Sequence, residues 1–261
     1  MGAAIPARMM ELTSSQNSSI VTLPKARKES FALQWILAPS NTMIKSDSIF
    51  QHLLFPPYDL LNVGIKPLKA DCIFVFAGRP ERKTYGLKLY RDGYASRLIF
   101  SVGRFEWRRF LQLNLEDYGG LLDLVEATPY FQRHFFVHMT STGTSAFGIP
   151  KRQFGTLSEA MALSELIERL QIKKLMIISS GFHLRRAVKA VKNWCANPEV
   201  ELIPVQVPNE LASETRENWW KSYRGFTLIL SEYLKNFLYT FLVIPVYSLC
   251  QKNKKAYLKT I

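Results

Sequence analysis

The feature that most constrains the fold of this chain is an unbroken apolar run, Cys72-Ile73-Phe74-Val75-Phe76-Ala77. Polar and apolar residues do not alternate in it, which is typical of a parallel strand covered by helices on both faces. Gly78 ends the run, and residues 81–92 then show the apolar spacing of a helix. The same order of apolar run, Gly or Ser turn and helical segment returns at residues 97–111 and 174–194. The repetition predicts strand–turn–helix units.

The remaining elements extend this pattern. We predict further strands at residues 134–139 and 201–207, the latter irregular or at a sheet edge because Pro204 lies in it. We predict helices at residues 81–92, 104–124, 157–170, 182–194 and 213–249, the last kinked or broken near Gly225 and Pro245, and a polar loop at residues 140–155. The predicted fold class is α/β: a Rossmann-like three-layer sandwich, with a mostly parallel sheet of about five strands and helices on both faces.

Three segments are expected along the chain. Residues 1–69 form an N-terminal extension, mobile up to about residue 30 and then a proline-interrupted segment that wraps the domain. Residues 70–240 form the α/β domain. Residues 241–261 combine the end of an apolar helix with a lysine-rich tail.

The net charge of +13 indicates anionic partners: nucleotides, phosphates, nucleic acid or an acidic membrane surface. Basic and aromatic residues do not interleave regularly, so nothing further favours nucleic acid. The three cysteines lie far apart, no zinc motif is present, and no metal is expected. Without a secretory signal, the cytoplasm is the expected compartment.

The C-terminal segment leaves a membrane role open. Residues 237–250 carry no charge, but fourteen residues are short for a span of about 20 residues. We therefore favour a core or interfacial helix with a basic tail, and a peripheral position at the inner face of a membrane remains the alternative.

In an open parallel sheet, ligands bind beyond the carboxyl ends of the strands. Three turns are expected there, and their candidate ligand-binding residues are Gly78 and Arg82, Ser101 and Gly103, and Ser180. Glycine lets backbone N–H groups approach an anion at a helix N-terminus. None of these turns has the GxGxxG or GxxxxGK[ST] spacing of a dinucleotide or Walker-type site.

His183 is the clearest catalytic candidate, because it lies in the first turn of a helix after a buried strand, with Arg186 one turn later. A helix N-terminus lowers the pKa of a histidine and favours the neutral form. A histidine bonded to local backbone is the alternative. Thr156 and Glu159 have the spacing of a capping box, which explains both without a ligand; a place in the site is the competing interpretation.

Taken in order, these motifs resemble the YdcF/SanA/ElyC-like family. The matching residues are Asp71, Gly78, Arg82, Leu89-Tyr90, Gly93, Ser101-Val102-Gly103, Thr156 to Ala160, His183-Leu184-Arg185-Arg186-Ala187 and Glu232-Tyr233-Leu234-Lys235. The chain departs from the family at Val102, where relatives carry glycine, and at Glu159, one residue after the usual acid.

The resemblance implies a Rossmann-like domain with a polar pocket at the strand ends. It implies S-adenosylmethionine as a ligand in some relatives and a link to the bacterial envelope in others. We therefore expect a protein that binds an anionic or nucleotide-like small molecule, S-adenosylmethionine among the candidates. In that site Arg82, Thr156 and Arg186 would contact the ligand and His183 and Glu159 would transfer protons. The alternative is a membrane-associated envelope factor without catalysis, so enzymatic activity is left open.

Overall fold

In the computed structural model, residues 44–195 and 197–249 are described, with side chains from residue 52 onward. The expected mobility of residues 1–30 and the basic tail after residue 250 lie outside these residues. One six-stranded sheet with the strand order β4-β3-β2-β1-β5-β6 organises the described part. Its strands are β1 Cys72–Val75, β2 Arg97–Gly103, β3 His134–Thr140, β4 Gly143–Gly148, β5 Lys174–Ser179 and β6 Glu201–Gln206.

The sheet is mixed. The pairs β1–β2, β1–β5 and β5–β6 are parallel, whereas β2–β3 and β3–β4 are antiparallel. The α/β class with a mostly parallel sheet is confirmed, but there are six strands where about five were expected. β6 lies at one edge, as Pro204 predicted, and the Pro204 carbonyl accepts a hydrogen bond from the Ile65 N–H at 2.8 Å.

The unexpected strand is β4, which occupies part of the predicted loop 140–155. It is mostly exposed or half-buried at the other sheet edge, so its sequence, Gly-Thr-Ser-Ala-Phe-Gly, needs no apolar run. Only two residues separate it from β3. A tight hairpin of this kind follows from turn geometry rather than from hydrophobic pattern.

Helices cover both faces. α5 (Gly155–Arg169) and α6 (Gly181–Trp194) pack on the face that carries Cys72, Phe74 and Phe76. α2 (Pro80–Arg91) and α4 (Leu121–Ala127) pack on the face that carries Ile73 and Val75. Alternate side chains of β1 therefore enter two separate cores.

The prediction of one long helix at residues 104–124 is wrong. The segment holds a short helix, α3 (Trp107–Phe110), a 3₁₀ turn at Leu111–Leu113 and then α4. Asn114, Gly119 and Gly120 have positive φ angles of 48°, 62° and 76°, which an α-helix cannot accommodate.

The C-terminal helix begins later than expected. Residues 213–222 are irregular apart from a 3₁₀ turn at Trp219–Lys221, and α7 spans Tyr223–Leu238. The extended backbone of Ser222 interrupts the helical region three residues before Gly225, where a break was expected, whereas a π-helical turn, Tyr239–Val243, carries the helix past Pro245 to Leu249 without a break. Proline lacks the N–H and clashes with the carbonyl four residues earlier, and the wider π turn lies where that clash would fall for Pro245. Helix α1 (Ile44–Leu61) packs against α6 and α7.

The connections that follow β1 and β5 leave room for a ligand-binding site between these two strands. After β1 the chain crosses to β2 on one side, and after β5 it crosses to β6 on the other. Neighbouring strands whose connections diverge leave a crevice at their carboxyl ends, which is where open α/β sheets bind ligands.

Candidate functional site

A cleft of about 710 Å³ occupies this crevice. Seven Lys and Arg side chains line it against three Glu, which leaves an excess of four positive charges. The cations are Arg79, Arg82, Arg104, Arg133, Lys151, Arg186 and Lys235, and the acids are Glu106, Glu159 and Glu232. Walls of this sign attract anions electrostatically.

Arg82 joins the two central turns of the cleft. Its Nε donates to Ser180 Oγ at 3.0 Å and its Nη1 donates to the Ala77 carbonyl at 2.6 Å. The residue is only 5% exposed, and no carboxylate among the described residues lies within ion-pair distance of it. Burial lowers the pKa of Arg82 to about 10, so the group remains positively charged at neutral pH.

Gly78 is required by the position of Arg82. Its φ of +131° disfavours any other residue, and a Cβ at this position would lie 2.8 Å from Arg82 Nη1. From the sequence, we expected Gly78 to let an anion approach the backbone N–H groups. In the structure, the space beside Gly78 is occupied by the guanidinium of Arg82.

Arg186 is held on the opposite wall by a buried ion pair. Its Nε and Nη2 donate to the two oxygens of Glu232 at 2.9 and 3.0 Å, and its Nη1 donates to Thr156 Oγ1 at 2.6 Å. Lys235 adds a second contact to Glu232 at 2.9 Å. Burial raises the pKa of Glu232, but Arg186 and then Lys235 outweigh it and hold that pKa below its ordinary value.

His183 is buried between two hydroxyl groups. Its Nδ1 lies 2.7 Å from Ser179 Oγ and its Nε2 lies 3.4 Å from Thr156 Oγ1. Burial, with Arg186 and Arg82 nearby, lowers its pKa well below the ordinary value, so the ring is neutral at pH 7. The two hydroxyl groups can each donate or accept, so each nitrogen of the neutral ring has a hydrogen-bond partner.

The capping-box interpretation of Thr156 and Glu159 is wrong. Helix α5 begins at Gly155, so Thr156 lies inside its first turn and is not the N-cap residue. Glu159 Oε1 instead accepts a hydrogen bond from the Ala77 N–H at 2.7 Å, across the cleft from its own helix. Both residues are buried and belong to the site wall.

Ser101 does not line the cleft but contacts a residue that does. It is fully buried in β2, and its Oγ lies 2.9 Å from Nε2 of His134, which does line the cleft. Burial lowers the pKa of His134. Gly103 lines the same region, where a Cβ would lie 3.0 Å from Glu106 Oε1. Sequence reasoning missed His134, because its partner lies 33 residues away in the chain.

Three helices begin at the cleft, and none is capped by the side chain of its N-cap residue. These N-cap residues are Arg79 for α2, Phe154 for α5 and Ser180 for α6. The first N–H groups of a helix carry partial positive charge and bind anions when no internal acceptor takes them. The helix termini therefore add to the positive potential of the side chains.

The structure brings together most of the residues singled out in the sequence. Gly78, Arg82, Gly103, Thr156, Glu159, His183 and Arg186 all line the cleft, whereas Ser101 and Ser180 hold residues that do. Glu232 and Lys235 were noticed only as part of a helix motif, and their pairing with Arg186 was not anticipated. In residues 44–195 and 197–249, no group of three His, Cys, Asp or Glu residues could hold a metal ion.

Comparison with known proteins identifies no relative. No family model, no curated protein and no solved structure gives a significant match to this chain. The resemblance to the YdcF/SanA/ElyC-like family therefore stays a prediction from the motifs.

Proposed function

We propose that this protein binds a small phosphate-bearing anion, of nucleotide-like class, in the cleft at the carboxyl ends of β1 and β5. One observation carries the proposal: Arg82 is a buried cation whose partners in the described chain are a hydroxyl and a carbonyl. Burying a charge is unfavourable unless an opposite charge compensates it. A bound anion would supply that charge.

The surroundings of Arg82 favour phosphate among anions. The N-termini of α2 and α6 follow the two turns that Arg82 joins, and backbone N–H groups with a guanidinium are the usual partners of phosphate oxygens. The wider cleft adds Arg104, Arg133 and Lys151, which form no ion pair with the described residues. Its size suits a nucleotide-sized molecule rather than a single ion.

S-adenosylmethionine fits less well. Its sulfonium and amino groups are positive, and the cleft already holds an excess of positive side chains. A Rossmann-like fold and membership of the family that the motifs resemble are part of this proposal, and that resemblance is what suggested S-adenosylmethionine. S-adenosylmethionine is therefore the comparison ligand in the test.

The proposal is one of binding, with proton-transfer groups at hand should a reaction follow. Glu159 reaches the turn after β1 through its bond to the Ala77 N–H. Both nitrogens of His183 have partners on neighbouring side chains, which suits His183 to positioning Thr156 and Arg186. Of the two catalytic candidates from the sequence, Glu159 is the one we assign to proton transfer.

Calorimetric titration of the full chain with pyrophosphate, ATP and S-adenosylmethionine tests the proposal. We expect the phosphate compounds to bind, and Arg82→Gln to weaken their affinity by about tenfold or more, because a charge-assisted hydrogen bond contributes roughly 1.5–3 kcal/mol. Arg91→Gln, at the exposed far end of the same helix, is the matched control and should leave affinity unchanged. Equal affinity of the Arg82 variant, or no binding of either phosphate compound to the wild type, refutes the proposal.

A further inference from the structure

The outer face of the C-terminal helix is an exposed apolar stripe. Five side chains at helical spacing define it: Phe226, Leu230, Leu234, Phe237 and Phe241. Leu234 is 60% exposed and Phe241 is 66% exposed, although aliphatic and aromatic side chains of this size are usually buried. Contiguous exposed apolar surface on this scale marks an interaction site.

The helix is long enough to reach across a membrane, but its inner face is fixed to the domain. Tyr223–Leu249 is the one helix in the described part of the chain whose length and composition would suffice for a span. Its Glu232 forms the buried ion pair with Arg186, and Tyr233 Oη donates to the Pro57 carbonyl at 2.7 Å. Crossing a bilayer would break the ion pair, leave Arg186 without its carboxylate and carry Glu232 into the hydrocarbon region.

The charges beside the stripe are positive. Glu232 is the only acid in residues 223–249, and it is buried. Arg224 and Lys235 are exposed on the same helix, although each also contacts a buried carboxylate, Glu214 at 3.7 Å and Glu232 at 2.9 Å. Lys221 is exposed and precedes the helix. On another side, Lys189 and Lys192 of α6 line a groove of about 650 Å³ together with Thr240 and Ile244 of the C-terminal helix.

We infer that this stripe docks in the plane of an anionic membrane surface. A helix with an apolar face of Leu and Phe between basic side chains is the form that lies in the headgroup region, with its apolar face about 5–10 Å deep. A second copy is the weaker candidate, because each chain carries a net charge of +13 and the stripe has no exposed acid to offset it. The lysines at positions 252, 254, 255 and 259 follow this helix in the sequence and have the same sign.

The inference is independent of the proposed function, although one helix serves both. Leu228, Glu232, Lys235 and Tyr239 of this helix line the cleft. Docking of the outer face would therefore place the cleft beside the membrane surface, whatever ligand it binds.

Vesicle flotation of the full chain tests the inference, with vesicles of phosphatidylcholine alone and mixed with phosphatidylglycerol. We expect flotation with the mixed vesicles, weaker flotation with neutral ones, and loss of binding at high salt. The variant Leu234→Gln/Phe237→Gln/Phe241→Gln should lose at least about tenfold in partitioning, because apolar burial drives interfacial binding. The control Leu122→Gln/Phe131→Gln/Leu211→Gln changes exposed apolar residues elsewhere and should bind as the wild type does.

A second variant and a sedimentation measurement complete the test. Lys221→Gln/Arg224→Gln keeps the stripe and should lose binding severalfold to mixed vesicles while circular dichroism stays native. No flotation of the wild type with mixed vesicles overturns the inference, as does unchanged flotation of the stripe variant. A concentration-dependent dimer that the stripe substitutions abolish, without vesicle binding, would assign the surface to a second copy instead.

Discussion

Two arginines in one cleft show how differently the same buried charge can be accommodated. Arg82 and Arg186 are 5% and 7% exposed, and both line the cleft. Arg186 is balanced within the chain by the two oxygens of Glu232, whereas Arg82 contacts neutral oxygen atoms. One guanidinium is thus neutralised by a direct ion pair, whereas the other feels only more distant carboxylates, among them Glu106 and Glu159, and this difference is the basis of the proposed anion site.

The largest expected effect tests the balanced side of this comparison. Glu232→Gln leaves Arg186 buried without a counter-charge, so the free energy of unfolding should fall by about 3–5 kcal/mol in urea denaturation. Glu201→Gln is the control, because Glu201 pairs with Lys174 at 2.9 Å on the exposed surface, where such pairs contribute about 0–1 kcal/mol. Equal losses from the two variants would contradict the structural role of the buried pair.

A smaller effect is expected from the hydroxyl that supports Arg186. Thr156→Val preserves side-chain volume but removes the acceptor of the Arg186 Nη1 bond, which should cost about 1.5–3 kcal/mol of unfolding free energy. The same substitution at the exposed Thr84 should cost well under 1 kcal/mol, roughly the range of surface changes. If Thr156→Val were as mild as Thr84→Val, the network around Arg186 would not be as tight as the distances indicate.

The pH dependence of stability should report the buried His183. Its pKa is lowered in the folded chain by burial first and by the arginines second, so below about pH 6.5 the unfolded chain binds a proton that the folded chain does not. Stability should therefore fall as pH falls through this range, by up to about 1.4 kcal/mol per pH unit for this residue.

Urea denaturation between pH 7.5 and 5 measures that slope. His134, whose pKa is also lowered, adds to it. The variant His183→Gln should have a shallower slope than the wild type, and an identical slope would show that folding does not lower the pKa of His183.

The smallest change in stability is expected for Arg82→Gln, and it tests the contrast between Arg82 and Arg186 most directly. Arg82→Gln removes a buried charge that forms no ion pair with the described residues, and the desolvation it relieves offsets the two hydrogen bonds it loses, so the unfolding free energy should stay within about 1 kcal/mol of the wild type or rise, in buffer free of polyvalent anions. Pyrophosphate should then stabilise the wild type more than the variant. A loss as large as that of Glu232→Gln would make Arg82 a structural residue and remove the main support for the proposed site.

The sequence predicted the parts of the fold that follow from continuous apolar runs and helical spacing. The strands around Cys72–Val75 and Lys174–Ser179 and the helix after each were found where the pattern placed them. β4 and the break after Leu113 were missed, because an exposed edge strand and left-handed turn residues leave little trace in hydrophobic pattern.

The candidate site was predicted as a set of residues but not as a set of contacts. Arg82 and Ser180, or Arg186 and Glu232, lie tens of residues apart, and no local spacing predicts their hydrogen bonds. Thr156 and Glu159 show the hazard of local rules, since their spacing fits a cap that the start of α5 at Gly155 excludes.

By itself, the sequence determined the α/β class, the strand–turn–helix order and the residues that stand at the strand ends, because periodicity and glycine positions act locally. Only the tertiary structure decided which arginine has a carboxylate partner, that Glu159 bonds to the turn after β1, and that the C-terminal helix keeps its apolar stripe outside. The physical reason is that charge balance and burial depend on the chain segments that meet in space.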